Sequence, residues 1–200
     1  MTTDEKKQMI EMAASWIGYK EKSRCDYSVY EKKDEGAGLQ NFTRFGRVAD
    51  IVIGGADKKV KDGYAWCAMF VLSMMYETKA GRLDCSAEKG TLPVSDDVRQ
   101  WMMAEINERK PLTYFAGVAA FLSSGKKQGR ISSIPAPGDF AIFLKDGKGY
   151  HIGLVESVCG AVFTTIEGNT SSGVWDVVAN GGCVARKKRK KSNNIVFFKN

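Results

Sequence analysis

The sequence predicts an α+β fold, with N-terminal helices packed on a C-terminal antiparallel sheet. Three observations lead there. Apolar residues recur at helical spacing in four segments that begin before residue 125. After Pro135 that period disappears, and short runs rich in valine, isoleucine and phenylalanine follow, separated by glycine and asparagine. Helices first and strands later is the order of segregated layers rather than of alternating βαβ units.

Each element has its own signal. Thr2-Thr3-Asp4-Glu5 reads as a capping box, with Thr2 as N-cap and Glu5 three residues on. Met9, Ile10, Ala13, Trp16 and Ile17 then keep helical spacing, and Gly18 offers a stop. Residues 20–64 are polar and turn-rich. Only NFTRFG (41–46) and DIVIGG (50–55) stand out among the loops and short helices expected there. Residues 65–79 carry the strongest helix signal: Trp66, Met69, Phe70 and Met74 share one face, with Cys67, Val71 and Met75 beside it. A helix apolar on most sides is a buried one, and Gly81 ends it. The next helix runs from Ser95, its expected cap, through Asp96-Asp97 to Arg109, before Pro111; Trp101, Met102 and Ile106 mark its inner face. A last helix covers 113–124, with Gly125 as its stop. The strands are DFAIFL after the PAPGD loop (135–139), YHIGLVESV after the DGKG turn (146–149), AVFTTIEG, a segment near GGCVARK, and NIVFF. No internal repeat or domain boundary is visible. The expectation is one catalytic domain over 1–200, with 1–64 as a lead-in and 65–200 as its core.

Composition narrows the function classes. The best apolar run, AWCAMFVL, is far short of the ~20 residues a membrane-spanning helix needs. The start, MTTDEKKQMIEM, has no signal-peptide core, so synthesis in the cytoplasm with release or export by another system is expected. A formal charge of +7 favours anionic partners without choosing among nucleic acid, acidic membrane and cell wall. The five cysteines (25, 67, 85, 159 and 183) are odd in number and form no C-x-x-C pair, which argues against a zinc site or a disulfide framework. Free cysteines are most often buried and inert, the expectation for Cys25, Cys85, Cys159 and Cys183. Asp26, Asp34, Glu35 and Asp50 lack the spacing of a calcium loop. No metal or cofactor is expected.

Cys67 differs from the other four by position. It opens the buried helix, where unpaired N–H groups and partial positive charge suit a thiolate and an oxyanion. A nucleophilic thiol needs a base, and the chain has one histidine, His151. His151 starts the strand YHIGLVESV, and the next strand ends in IEGN, with Glu167 and Asn169. A three-residue hairpin loop, Val158-Cys159-Gly160, sets Ser157 opposite Ala161 and, by counting back, His151 opposite Glu167. A two-residue Cys159-Gly160 turn would set Ile152 there instead and spoil the pair. The three-residue loop is the expectation.

Five motifs now stand in order: WCAMFV (66–71), PAPGD (135–139), HIGLVESV (151–158), IEGNT (166–170) and the closing GGCVARK with NIVFF. In this order they resemble the CHAP family, cysteine, histidine-dependent amidohydrolases and peptidases related to NlpC/P60 and papain-like enzymes. GYKE (18–21) and NFTRFG (41–46) resemble the family's lead-in, so the likeness covers nearly the whole chain. The resemblance implies a papain-like fold with Cys67 as nucleophile, His151 as base and then acid, and Glu167 orienting the imidazole. Asn169 matches a polar family position beside the imidazole and is expected to share that role. The Cys67 backbone N–H is expected to hold part of the oxyanion. The implied substrate is peptidoglycan, cut either between N-acetylmuramic acid and L-alanine or within the stem or cross-bridge peptides.

Other features have plainer readings. Tyr64 and Trp66 are expected to line the cleft, although aromatics flanking a buried helix are more often core. RKKRKK (186–191) reads as a solvated face of the last hairpin of the sheet, giving weak anionic contacts with a wall and no specific nucleic-acid binding. A monomer is expected. Two other functions stay open at this point: a papain-like amidase or transferase on a non-wall substrate, and a basic nucleic-acid or surface-binding module.

Overall fold

A computed structural model describes residues 1–36, 38–54, 62–86, 96–106, 117–175 and 181–200. Helix α1 (Thr3–Ser15) opens with the expected capping box: Glu5 N–H donates to Thr2 Oγ1 and Thr2 N–H to Glu5 Oε2. Gly18, at φ 90°, lies in the turn beyond it. A 3₁₀ turn at Tyr27–Val29 follows, then α2 (Arg44–Gly54). Here the end of NFTRFG, from Arg44, and DIVIG (50–54) belong to one helix rather than to two separate pieces; residue 55 falls outside the described residues. Its buried Phe45, Val48, Ala49 and Val52 keep helical spacing across the join.

Helix α3 (Cys67–Ala80) is buried through its first eleven residues, as a helix apolar all round requires. α4 (Asp96–Ile106) lies within its expected span; Ser95 and residues 107–109 fall outside the described residues. α5 (Val118–Lys127) runs past its expected stop. Gly125 sits inside this helix, where a β-carbon would lie 2.5 Å from Ile131 and 2.8 Å from Phe198. The glycine permits close packing of helix on sheet; it does not terminate the helix.

The strands are β1 (Ile131–Ser132), β2 (Phe140–Lys145), β3 (Lys148–Cys159), β4 (Val162–Thr170), β5 (Cys183–Lys190) and β6 (Ile195–Phe198). They form a six-stranded sheet in the order β1-β6-β2-β3-β4-β5, and every neighbouring pair is antiparallel. This is the expected α+β architecture. One connection departs from expectation. β5 and β6 do not form a hairpin; β6 pairs between β1 and β2, while β5 pairs with β4.

Strand alternation gives the sheet two unlike faces. Phe140, Ile142, Ile152, Leu154, Ile166, Val184 and Phe198 join the main core with α1, α3 and α5. Ala141, Phe143, Val155, Phe163 and Phe197 form a smaller cluster on the other face. Asp139 closes the PAPGD turn by accepting the Ala136 N–H, as a turn aspartate does.

Candidate active site

Two buried links set the position of α3. At its start, Trp66 is the N-cap residue, and its indole Nε1 donates to Glu21 Oε2 at 2.9 Å. The same ring stacks on Phe45, centroids 5.5 Å apart. Toward its end, Glu77 accepts two hydrogen bonds from the Arg44 guanidinium, at 2.9 and 2.7 Å. The Arg44 N–H in turn donates to the Tyr19 hydroxyl. The polar N-terminal segment therefore anchors α3, through the Tyr19 and Glu21 of GYKE.

Cys67 is the first residue of α3, and Trp66 gives the helix no side-chain cap. The N–H groups of the first turn are thus left for another acceptor. Cys67 is 6% exposed and His151 1% exposed. The imidazole Nε2 lies 2.9 Å from Glu167 Oε2. A carboxylate only accepts, so Nε2 carries a proton, and Nδ1 is the nitrogen left to exchange one. Cys67 acts on the imidazole, yet no well-formed hydrogen bond reaches the buried Nδ1. Loose nucleophile–base geometry of this kind is common before substrate binds.

Glu167 is held from several sides. Oε1 accepts from Thr165 Oγ1 and from Arg189 Nε at 2.9 Å; Oε2 accepts from Arg189 Nη2 at 2.6 Å and from His151. Burial alone would push this carboxyl up, but hydrogen bonds from His151 and then Arg189 outweigh it and hold the pKa at about 2. Burial alone would push the imidazole down; interaction with Cys67 and then with Glu167 outweighs that and raises it to about 9.

The register that joins these groups is not the expected one. The hairpin turns through Gly160 and Ala161, with Cys159 paired to Val162 and Ser157 to Thr164. Gly160, at φ 58°, takes the first turn position. A bulge at Glu156 then shifts the ladder, so that Val155 meets Thr165 and Leu154 meets Ile166. Continuing that register sets Gly153 opposite Glu167 and Asn169 opposite His151. The expected direct opposition of His151 and Glu167 is therefore wrong by two residues. An even error keeps the face, so the two side chains meet diagonally. Without the bulge they would point to opposite faces.

The other expected site residues have different fates. Asn169 is buried at the end of β4 with φ 56°, a left-handed conformation that asparagine tolerates. Tyr64 is well exposed ahead of α3. Trp66 is fully buried, so it does not line a cleft; it braces the helix start from inside. Cys25 and Cys159 are exposed, against expectation, while Cys85 and Cys183 are buried.

Several contributors were hidden in the sequence. Arg189 belongs to the basic run that reads as solvated. On β5, however, alternate residues turn inward: Lys187 and Arg189 are buried, while Arg186, Lys188 and Lys190 face out. Lys187 Nζ donates to Ser171 Oγ at 2.9 Å. Gly153 and Gly168 make room. A β-carbon at Gly168 would lie 2.6 Å from Phe70 and 2.8 Å from Trp66. The glycine lets β4 approach the start of α3.

A thiol at a helix start, a lone histidine and a carboxylate behind it suit acyl transfer. The profile of the CHAP domain matches residues 59–169, a span that contains Cys67, His151, Glu167 and Asn169. The chain belongs to the CHAP family. CHAP proteins are cysteine, histidine-dependent amidohydrolases or peptidases, and the helices and antiparallel sheet are compatible with their papain-like fold. Arg189, on β5, lies beyond the matched span. No curated protein matches the chain. No solved structure matches it either. Among the described residues, no helix is long and apolar enough to cross a membrane.

Proposed function

We propose that this CHAP protein hydrolyses an amide bond of peptidoglycan, as an N-acetylmuramoyl-L-alanine amidase or a peptidoglycan endopeptidase. The observation that carries the reading is the buried series Cys67, His151 and Glu167, with His151 Nε2 on the carboxylate and the imidazole pKa raised by Cys67 and then by Glu167. Membership of a family that generally acts on peptidoglycan supports the substrate.

Cys67 Sγ gives its proton to His151 Nδ1 and attacks the amide carbonyl carbon. The oxyanion is held in part by the Cys67 N–H at the uncapped helix start. As the carbon–nitrogen bond breaks, His151 returns the proton to the leaving amine, leaving a thioester on Cys67. Water, deprotonated by His151, cleaves the thioester and frees the acid and the thiol. Throughout, Glu167 holds the Nε2 proton and the ring orientation, with Asn169 beside the ring. Tyr64 meets substrate at the mouth of the site. The enzyme works as a monomer at the wall.

Mass spectrometry of soluble fragments released from several cell walls tests this. New amine and carboxyl ends at one type of amide bond are expected, and Cys67→Ala should lose activity roughly a thousandfold or more. Thiol labelling belongs in a Cys25→Ser/Cys159→Ser background, because both of those cysteines are exposed. Walls left uncut by a folded protein whose Cys67 takes no label would overturn the proposal.

A further inference from the structure

A groove of about 400 Å³ adjoins the catalytic pair on the second face of the sheet. Its floor is shared with the site. Phe143 is the ladder partner of His151, ring centroids 5.5 Å apart, and Arg189 grips Glu167. Its walls are Tyr150 and Trp175, 39% and 56% exposed, with Lys188, Lys190, Ser192 and Asn194. Among the described residues, no acidic side chain lines it.

Trp175 is placed deliberately. The backbone of its neighbour, Val174, accepts the Lys188 N–H, which seats this segment along β5. The Lys188 ammonium then lies 5.9 Å from the indole centroid. Two large aromatics exposed beside one groove on a globular surface are uncommon, and such patches mark binding sites. Lys188 and Lys190 lie two residues apart on one strand, ~7 Å along it. Their outward direction follows from the alternation that turns Lys187 and Arg189 inward.

We propose that this groove binds an acidic glycopeptide segment of the wall polymer. Sugar rings lie against Tyr150 and Trp175, their amide and hydroxyl groups meet Asn194 and Ser192, and a stem-peptide carboxylate meets Lys188 and Lys190. The proposal rests on the peptidoglycan reading and adds a binding site with a stated charge preference to it.

The test uses the full chain carrying Cys67→Ala, which does not cut its ligand, and soluble disaccharide-peptides of two kinds. One has a free glutamate carboxylate in its stem; the other has that carboxylate amidated. Calorimetry gives Kd, and the Trp175 indole N–H resonance reports the place. The acidic form should bind more tightly and shift the Trp175 signal. Lys188→Ala/Lys190→Ala should weaken it about tenfold and abolish the preference over the amidated form. Trp175→Ala should weaken both forms. All these side chains are exposed, and unchanged circular dichroism confirms folding. Equal affinity for both forms, no binding, or Kd values indifferent to these substitutions would overturn the groove. So would tighter binding of a short single-stranded oligonucleotide at the same residues. Wild-type protein that cuts walls while the groove fails keeps the hydrolase reading. Protein that binds the acidic form yet cuts no wall loses the hydrolase reading and keeps the groove.

Discussion

Gly153 stands where a β-carbon would lie 2.5 Å from Glu167 Cγ. The bulge at Glu156 sets this juxtaposition, and the Glu167 side chain crosses position 153 on its diagonal path to His151. Gly153→Ala should therefore leave the strand intact and displace the carboxylate. A shift of about 1 Å at a catalytic group costs on the order of a hundredfold in rate. The expected result is wild-type circular dichroism with kcat/KM on wall fragments down about a hundredfold. Unchanged kcat/KM would show that the carboxylate has room the structure does not give it.

His151 is the single histidine of the chain, so its ring resonances need no assignment. Its pKa is raised to about 9 from the ordinary 6.5. A raised imidazole stabilises the fold fully below about 6.5, and that contribution is lost as pH rises through about 9. Glu167 is depressed, so its contribution is full above about 4.5 and lost as pH falls through about 2. An NMR titration of the His151 ring should show a midpoint well above 6.5. Glu167→Gln should bring it down, and Cys67→Ala should do the same. A midpoint unmoved by both substitutions would break the proposed relay.

Arg189 gives Glu167 two of its hydrogen bonds from a side chain that is nearly as buried. Arg189→Met leaves the carboxylate with its desolvation cost and fewer donors. Stability at neutral pH should fall by about 3 kcal/mol, read by urea unfolding. The Glu167 pKa should rise, and the acid limb of the pH–rate profile should move to higher pH with it. Arg189→Lys keeps the charge but not the two-pronged geometry, so it should recover only part of either effect. Full activity at unchanged pH dependence in Arg189→Met would assign Arg189 to structure alone.

The legible parts of this molecule were those set by local pattern. Glu5 three residues after Thr2 announces the first helix, and an apolar run with one cysteine at its start announces α3. The lone histidine leaves no choice of imidazole. Harder to read was everything that depends on strand register. Whether Arg189 points in or out follows from its pairing with Phe163, and that pairing depends on chain arrangement that RKKRKK does not encode locally. The bulge at Glu156 has no composition signal, yet it decides which face His151 shares with Glu167. Trp66 misleads for a related reason. Beside Cys67 it reads as a cleft residue, until Glu21, distant in sequence, takes its indole N–H into the core.

The last prediction concerns the far end of α3. Arg44 and Glu77 have fully buried side chains, and their paired hydrogen bonds tie α2 to α3. Removing one partner of a buried ion pair strands the other charge, at a cost of about 3–5 kcal/mol; replacing both with apolar groups of similar size is often close to neutral. Arg44→Met and Glu77→Leu should each destabilise strongly, and the double variant should be less destabilised than the sum of the two. Glu77 also accepts the Leu83 N–H, and Arg44 donates to the Leu83 carbonyl, so the double variant leaves that loop unpaired and should not regain full stability. The readout is a double-mutant cycle by urea unfolding. Simple additivity would mean that the pair does not act as one unit.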